Sequence, residues 1–223
     1  MACIAKISDI FKSIQGEGPY QGVSQVFIRF FGCNLKCQFC DTALDSYRIF
    51  EVSDVVNELK KYHLYHSVSL TGGEPLLQVG FLHDLAQQLK MQNQLLYLET
   101  NGVLADKLGE IIDYIDIISM DFKLPSSTGL GSFWGQHEEF LKIASSKEVF
   151  VKSVIGMSTT IDDVLTAIEL IKKINNKAIL VLQPQNPFEP YMDEKLDGFA
   201  KVCRNSKVNF IVTSQLHKKI GVK

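Results

Sequence analysis

Residues 25–42 read Gln-Val-Phe-Ile-Arg-Phe-Phe-Gly-Cys-Asn-Leu-Lys-Cys-Gln-Phe-Cys-Asp-Thr. The run Gln25–Phe31 is rich in Val, Ile and Phe, which predicts a buried β-strand. Gly32 follows it, and three cysteines come next with the spacing Cys-x3-Cys-x2-Cys. In parallel α/β folds, ligands bind at the carboxyl ends of the strands. The stretch therefore predicts a strand that delivers three thiols to a binding site.

Similar apolar runs recur along the chain, with amphipathic stretches between them. The predicted strands are Gln25–Phe31, Ser67–Leu70, Leu95–Glu99, Ile115–Ser119, Val149–Val154, Ala178–Leu182 and Val208–Val212. The predicted helices are Ser53–Tyr62, Phe81–Lys90, Asp106–Tyr114, Trp134–Ala144, Ile161–Ile174 and Glu194–Cys203. Thr160 followed by Asp163 is typical of a capping box before the fifth helix. The alternation predicts right-handed βαβ units in one α/β domain over residues 1–223, with a mostly parallel sheet that is open or curled into a partial barrel.

Composition and charge exclude several classes of protein. The formal net charge is −2, from 23 Lys and Arg against 25 Asp and Glu, with 46% hydrophobic and 22% charged residues. These values exclude a disordered or collagen-like chain and predict no binding to nucleic acid through bulk charge. No apolar run approaches the roughly 18 residues of a membrane span, and the first residues lack a signal-peptide core. We therefore expect a cytoplasmic protein without membrane attachment.

The cysteines indicate metal chemistry rather than disulfide bonds. Three of the five, Cys33, Cys37 and Cys40, fall within eight residues, which is too clustered for a secreted disulfide framework. A zinc site would want a fourth ligand, and none is evident. A [4Fe–4S] cluster held by three thiolates keeps one iron open for a ligand. The alternatives are a structural zinc knuckle or a chance group of buried thiols; Cys3 and Cys203 are interpreted as small buried hydrophobic residues.

A second motif lies after the next predicted strand. Thr71-Gly72-Gly73-Glu74-Pro75 follows Ser67–Leu70, and glycines there allow the backbone to approach a ligand closely. The alternative is a plain turn with Glu74 in the first turn of a helix. Together with the cysteine spacing, this motif resembles the radical S-adenosylmethionine superfamily. The resemblance implies a TIM-like partial barrel in which three cysteines hold a [4Fe–4S] cluster, the open iron chelates S-adenosylmethionine, and an electron releases a 5′-deoxyadenosyl radical.

The amino-terminal segment indicates which family of this superfamily the sequence resembles. Ile14-Gln15-Gly16-Glu17-Gly18, followed by Arg29 ahead of the cysteines, is similar to the 7-carboxy-7-deazaguanine synthase family. The resemblance implies that the substrate is 6-carboxy-5,6,7,8-tetrahydropterin. Glu17 and Gln15 suit its guanidine-like edge, and Arg29 suits its carboxylate. The alternative for Gln15–Gly18 is a polar turn with Glu17 in solvent.

Further site residues follow from this resemblance only. Substrate contacts are expected from Ile14, Gln15, Gly16, Glu17, Arg29, Thr71, His217 and Lys223. Contacts to S-adenosylmethionine are expected from Phe39, Cys40, Asp41, Gly72, Gly73, Glu74, Ser119, Met120, Asp121, Gln183, Pro184 and Gln185. Thr42 is expected to ligate Mg²⁺, which bridges to the substrate carboxylate; the alternative is that Asp41 and Thr42 cap a helix. Lys123 belongs to the same strand-end segment as Ser119, Met120 and Asp121, and the alternative for it is a solvated charge on the surface.

Four other histidines, His63, His66, His83 and His137, are interpreted as structural.

The resemblance also implies the reaction. It is a lyase reaction that starts with hydrogen abstraction from C6 of the pterin and ends with loss of ammonia, in queuosine or another deazapurine pathway, with S-adenosylmethionine regenerated. No side chain is required as a proton-transfer catalyst for the first step. A homodimer and a flavodoxin- or ferredoxin-type reductant are also implied.

Two other functions remain open at the sequence level. One is a glycyl-radical activating enzyme, which shares the cluster motif but acts on a protein glycine and does not explain Gln15–Gly18 with Arg29. The other is a non-enzymatic iron–sulfur or zinc protein that carries electrons or serves as a scaffold.

Overall fold

A computed structural model describes residues 3–38, 40 and 45–222 of the chain. Within that part, nine strands form one sheet in the order β3-β1-β2-β4-β5-β6-β7-β8-β9. Strands β2 and β4 to β9 pair in parallel, while β1 pairs antiparallel with both β2 and β3. This is a mostly parallel, curved and open α/β sheet, as the alternation predicts.

The strands are β1 (Ile4–Ile14), β2 (Ser24–Phe30), β3 (Arg48–Glu51), β4 (Ser67–Gly72), β5 (Leu96–Thr100), β6 (Ile117–Asp121), β7 (Glu148–Ile155), β8 (Leu180–Pro184) and β9 (Phe210–Val212). The helices are α1 (Val52–Leu59), α2 (Val79–Met91), α3 (Ala105–Ile111), α4 (Pro125–Thr128), α5 (Trp134–Ala144), α6 (Ile161–Ile174), α7 (Met192–Ser206) and α8 (Leu216–Ile220). Short 3-10 turns cover Gly18–Tyr20, Pro75–Gln78 and Ile112–Tyr114. Among the described helices, none is long and apolar enough to cross a membrane.

All seven predicted strands and all six predicted helices are present, with two exact matches at Trp134–Ala144 and Ile161–Ile174. Thr160 caps the latter by accepting a hydrogen bond from the Asp163 backbone N–H, so the predicted cap is confirmed. The Asp163 side chain accepts from the backbone N–H and hydroxyl of Ser126 instead of completing the box.

Strands β1 and β3 and helices α4 and α8 were not predicted. A register shift between Ile7 and Asp9 breaks the alternation of β1, and its outer face is exposed. Such an irregular antiparallel strand has no clear period of two in sequence. The other three elements have only four or five residues, which is too short for a periodic signal.

Two apolar layers position the site. A large core lies between the sheet and the helices. A small cluster of Tyr97, Ile117, Phe150 and Val181 fills the concave side near the amino ends of four strands. Side chains two residues further along a strand share the same face. Polar residues therefore stand above this apolar plug, at the carboxyl ends of the strands: Glu99, Ser119, Lys152 and Gln183.

Candidate active site

A cavity of about 420 Å³ opens at the carboxyl ends of the strands. Most of the described residues predicted for the site line it. They are Ile14, Gln15, Gly16, Glu17, Arg29, Cys33, Cys37, Cys40, Thr71, Gly72, Gly73, Ser119, Asp121, Gln183, Pro184, Gln185 and His217. Phe39, Asp41, Thr42 and Lys223 lie outside the described residues.

The three thiols face this cavity together. Cys33, Cys37 and Cys40 are all free of disulfide bonds. Burial raises the pKa of Cys33 and of Cys37, so both are protonated thiols until a metal displaces the proton. In the described part of the chain, no three His, Cys, Asp or Glu side chains converge on one ion-sized point. Three thiols that do not meet at one point are compatible with a [4Fe–4S] cluster, in which each cysteine would bind a different iron.

Gly72 and Gly73 bring strand β4 against the cysteine loop. A Cβ atom at Gly72 would overlap the carbonyl oxygen of Phe30, and φ of Gly72 is +136°. A Cβ atom at Gly73 would overlap the carbonyl oxygen of Gly32 and lie 3.0 Å from Cβ of Cys33. Only glycine allows this approach at both positions. The pair therefore determines how closely the thiols sit to the ends of the parallel strands.

Glu74 does not line the cavity. Its carboxylate is fully buried and accepts hydrogen bonds from Leu76 N (3.1 Å), Thr100 Oγ1 (3.0 Å) and Asn101 N (2.8 Å). Burial raises the pKa of Glu74 to about 7. The side chain thus caps the turn at Pro75–Gln78 and ties it to the end of β5. The expectation of a carboxylate exposed to S-adenosylmethionine is replaced by a buried connection.

Gln15 and Thr71 are held by a carboxylate that sequence reasoning missed. Glu99 accepts from Gln15 Nε2 at 2.8 Å and from Thr71 Oγ1 at 2.7 Å. Gln15 also accepts the backbone N–H of Glu17 at 3.1 Å. The polar turn is therefore buried over the cavity rather than open to solvent. The sequence does mark Glu99 as a candidate site residue, because it is an acidic residue at the carboxyl end of a predicted buried strand.

A row of alternating charges crosses the cavity wall. Glu17 Oε2 lies 2.6 Å from Lys152 Nζ, which is 3.3 Å from Asp121 Oδ2, and Asp121 is in turn 2.9 Å from Lys123. Burial alone would raise the pKa of the Glu17 and Asp121 carboxyls, but the lysines hold both below their usual values. Lys123 has a side chain that is only 14% exposed, so it is not a solvated surface charge.

Two buried acceptors in the wall have no hydrogen-bond partner among the described residues. They are Asp121 Oδ1 and Gln183 Oε1. A buried polar atom without a partner costs about 1–3 kcal/mol. Both residues line the cavity, so a ligand that brings N–H or O–H groups would satisfy these atoms. This observation, with the three free thiols and the glycine pair, fits a cluster and a polar cofactor at this position.

Arg29 carries a positive charge that no described carboxylate neutralises. It lies on β2 opposite Thr71, and its guanidinium is 5.6 Å from the ring centre of Phe11. Phe11 stacks on Phe27 at 5.2 Å, and all three side chains line the cavity. A partly buried guanidinium over an aromatic pair suits a flat anionic ligand.

The carboxyl-terminal segment covers the amino-terminal loop. Leu216 N donates to Gly16 O at 2.9 Å, and Gln215 Nε2 donates to Glu17 Oε1 at 2.8 Å. A Cβ atom at Gly16 would overlap the imidazole of His217. His217 is thus brought into the cavity wall by α8, a helix that the sequence did not predict.

Met120, His137 and the two remaining cysteines do not line the cavity. The Met120 side chain is fully buried in the layer between sheet and helices, so only its backbone is near the site. His137 is buried against Phe122, and burial lowers its pKa to about 4. Cys203 is fully buried in α7, in agreement with its interpretation as a core residue. Cys3 is half-buried and does not line the cavity.

Comparison with known proteins places the chain in a class. The Radical SAM superfamily profile matches residues 27–193. The chain belongs to this superfamily, whose members use a [4Fe–4S] cluster and S-adenosylmethionine.

Curated relatives identify the family. A 7-carboxy-7-deazaguanine synthase of Geobacter sulfurreducens is 37% identical over 207 aligned positions, covering 81% of each chain. One from Archaeoglobus fulgidus is 30% identical over 239 positions, covering 98% of this chain and 99% of the relative. The chain belongs to the 7-carboxy-7-deazaguanine synthase family.

Solved structures support the fold. QueE from Escherichia coli superposes with a TM-score of 0.68 at 18% identity, over 96% of this chain and 95% of that one. SuiB of Streptococcus suis, bound to its precursor peptide SuiA, gives 0.61 at 14% identity, over 85% of this chain and 48% of that one. The partial barrel predicted for the radical S-adenosylmethionine type is therefore confirmed.

Proposed function

We propose that this protein converts 6-carboxy-5,6,7,8-tetrahydropterin to 7-carboxy-7-deazaguanine with loss of ammonia, as a radical S-adenosylmethionine lyase of queuosine or deazapurine biosynthesis. The observation that carries the proposal is a single cavity with two chemically different walls. One wall presents the thiols of Cys33, Cys37 and Cys40. The other presents the guanidinium of Arg29, which forms no ion pair with any residue that the structure describes, and the loop that carries Glu17.

The second wall matches the two polar ends of the pterin. Arg29 is assigned to the substrate carboxylate, because a guanidinium binds a carboxylate through two parallel hydrogen bonds. Glu17 is assigned to the guanidine-like edge, whose N–H groups need an ionised acceptor. Phe11 and Phe27 offer an apolar surface to the ring between these ends. Ile14, Gln15, Gly16, Thr71, His217 and Lys223 are assigned to the same substrate pocket.

The first wall matches the cofactors. Cys33, Cys37 and Cys40 are assigned to the cluster. Gly72, Gly73, Ser119, Asp121, Gln183, Pro184 and Gln185 are assigned to S-adenosylmethionine, with Phe39, Cys40, Asp41 and the backbone of Glu74 and Met120. When bound, the reduced cluster and S-adenosylmethionine would together supply the 5′-deoxyadenosyl radical that abstracts hydrogen from C6 of the pterin, with the electron coming from the reductant. The protein orients the substrate and excludes water.

Four finer assignments accompany the proposal. Thr42 with Mg²⁺ is proposed because a hard cation suits hydroxyl and carboxylate oxygens. A homodimer and a flavodoxin- or ferredoxin-type reductant are proposed from the family. A cytoplasmic location is proposed because free, clustered thiols persist in a reducing compartment.

The test compares two pterins on cluster-loaded protein under anaerobic conditions, with S-adenosylmethionine, Mg²⁺ and dithionite. We expect 6-carboxy-5,6,7,8-tetrahydropterin to be consumed with release of ammonia, and tetrahydropterin without the carboxylate to be inert. Cleavage of S-adenosylmethionine without ammonia from either pterin would favour another radical reaction, such as glycyl-radical activation. The absence of cleavage by a brown, cluster-containing protein would favour an electron carrier.

A further inference from the structure

Lys152 lies between two carboxylates from opposite parts of the cavity. Its Nζ atom is 2.6 Å from Glu17 Oε2 and 3.3 Å from Asp121 Oδ2. Glu17 belongs to the loop after β1, and Asp121 ends β6. No motif in the sequence includes Lys152. We propose that Lys152 is a positioning residue that keeps the Glu17 carboxylate ionised and aimed at the substrate; this rests on the proposed function, which makes Glu17 a substrate ligand.

The burial of the three groups makes the pairing consequential. The side chains of Glu17, Lys152 and Asp121 are 17%, 14% and 11% exposed. A charge that is this buried is costly unless an opposite charge lies beside it. Removing one partner from such a group leaves the others uncompensated. The loss of Lys152 would therefore act on Glu17 and Asp121 at once.

The neighbours of Glu17 show why the cation matters. Oε1 accepts from Gln183 Nε2 (3.1 Å) and Gln215 Nε2 (2.8 Å), while Oε2 accepts from Lys152. A carboxylate has about four acceptor sites, so a site remains for a substrate N–H. The two amides are neutral, and Lys152 is the cation that the structure pairs with Glu17. The amides orient the carboxylate, whereas Lys152 also favours its negative charge.

The charges and titratable groups around Glu17 determine in which direction the loss of Lys152 would change the pKa of Glu17. Facing it or its partner Lys152 are Tyr97 and Glu99 from β5, Asp121 at the end of β6, Lys123 two residues after that strand, and His217 from α8. Burial and Asp121 both act to raise the pKa of Glu17, and Lys152 outweighs them. Without Lys152 the two buried carboxylates would favour uptake of a proton. A protonated Glu17 accepts hydrogen bonds less well, so substrate affinity would fall as the pH falls.

The experiment measures substrate binding without turnover. Cluster-loaded protein with S-adenosylmethionine and no reductant is titrated with 6-carboxy-5,6,7,8-tetrahydropterin by anaerobic calorimetry between about pH 6 and pH 8. The variants are Lys152→Met, Lys152→Arg, Glu17→Gln and the double variant Glu17→Gln/Lys152→Met. Each Kd is divided by that of the native protein at the same pH, which cancels the titration of the ligand.

We expect Lys152→Met to bind about 10- to 100-fold more weakly than the native protein at the acidic end and to recover as the pH rises. Lys152→Arg retains the charge, so its ratio to the native protein stays constant with pH. Glu17→Gln and the double variant bind weakly at every pH, because no carboxylate is left to titrate. If Lys152→Met does not fold, Lys152→Gln carries the same prediction, with iron content and thermal unfolding as the checks on folding.

A purely structural role for Lys152 would lower affinity by the same factor at every pH. The proposal is overturned by that result, or by a pH dependence that survives in the double variant. Failure of the native protein to bind the carboxypterin would instead refute the proposed function, before any variant is compared.

Discussion

The imidazole of His217 packs directly against Gly16, leaving no room for a Cβ atom at residue 16. Leu216 N also donates to Gly16 O, so the end of the chain is attached to the loop that carries Glu17. The first and last parts of the sequence thus close the same side of the cavity.

Gly16→Ala should separate these two segments. The added methyl group would displace His217, and overpacking of this kind costs about 1–3 kcal/mol. We expect weaker binding of the carboxypterin with little change in cluster content, measured by calorimetry and iron analysis. Gly80→Ala is the matched control, because nothing lies within 4 Å of a Cβ atom at that position in α2. Equal affinities for both variants would contradict the role given to this contact.

The cysteine assignment predicts a sharp division among the cysteines. Replacing Cys33, Cys37 or Cys40 with Ala should abolish assembly of the cluster, since each supplies one of three thiolate ligands. Cys203→Ala should leave iron content intact and only lower stability, because that side chain is fully buried in α7. Iron and sulfide analysis with the visible absorption spectrum measures the difference. Loss of the cluster in Cys203→Ala to the same extent would refute the assignment of three ligands.

Arg29→Ala should mainly weaken substrate binding. Its guanidinium has no carboxylate partner in the described part of the chain, so its removal should lower the stability of the protein little. It should remove a charge-assisted hydrogen-bonded pair between the protein and the substrate carboxylate. We expect a Kd for the carboxypterin about 10- to 100-fold higher, and an unchanged Kd for the pterin that lacks the carboxylate. Arg48→Ala is the control, since Arg48 is an exposed residue on β3 that stacks on Phe50. An equal loss for both pterins would show that Arg29 does not bind the carboxylate.

Glu74 should make stability depend on pH in a defined direction. Its pKa is about 7 in the folded protein and 4.5 in the unfolded reference, so the folded state binds the extra proton between these values. The corresponding stabilisation is full below about pH 4.5 and is lost as the pH rises through about 7. Glu74→Gln lacks this titration, so the stability advantage of the native protein should shrink by on the order of 2–3 kcal/mol from about pH 5 to pH 8. Urea unfolding of the metal-free protein at several pH values measures it, and a constant difference would contradict the buried state of Glu74.

Sequence patterns predicted the parallel part of the fold because β2 and β4 to β8 are short, apolar and buried on both faces. They did not predict β1, because its bulge near Ile7 and its exposed face remove the periodic signal. At the site, the motifs around Cys33 and Gly73 were recognisable as local stretches. Glu99 and Lys152 were not, because a single charged residue inside a strand acquires a role only through the neighbours that the sheet brings beside it.

Glu74 shows that a recognisable local motif does not by itself predict where a side chain points. The motif around it marked the correct place in the fold, but the direction of its side chain depends on Thr100 and Asn101, which lie 26 and 27 residues away. Contacts between segments this far apart are set by tertiary packing and not by local spacing.

Identification of the product by mass tests the proposed reaction most directly. Cluster-loaded protein is incubated anaerobically with dithionite, S-adenosylmethionine, Mg²⁺ and 6-carboxy-5,6,7,8-tetrahydropterin, with Cys33→Ala protein as the control. We expect 7-carboxy-7-deazaguanine and an equal amount of ammonia from the native protein, and neither from the variant. Consumption of S-adenosylmethionine by the native protein without formation of 7-carboxy-7-deazaguanine would contradict it.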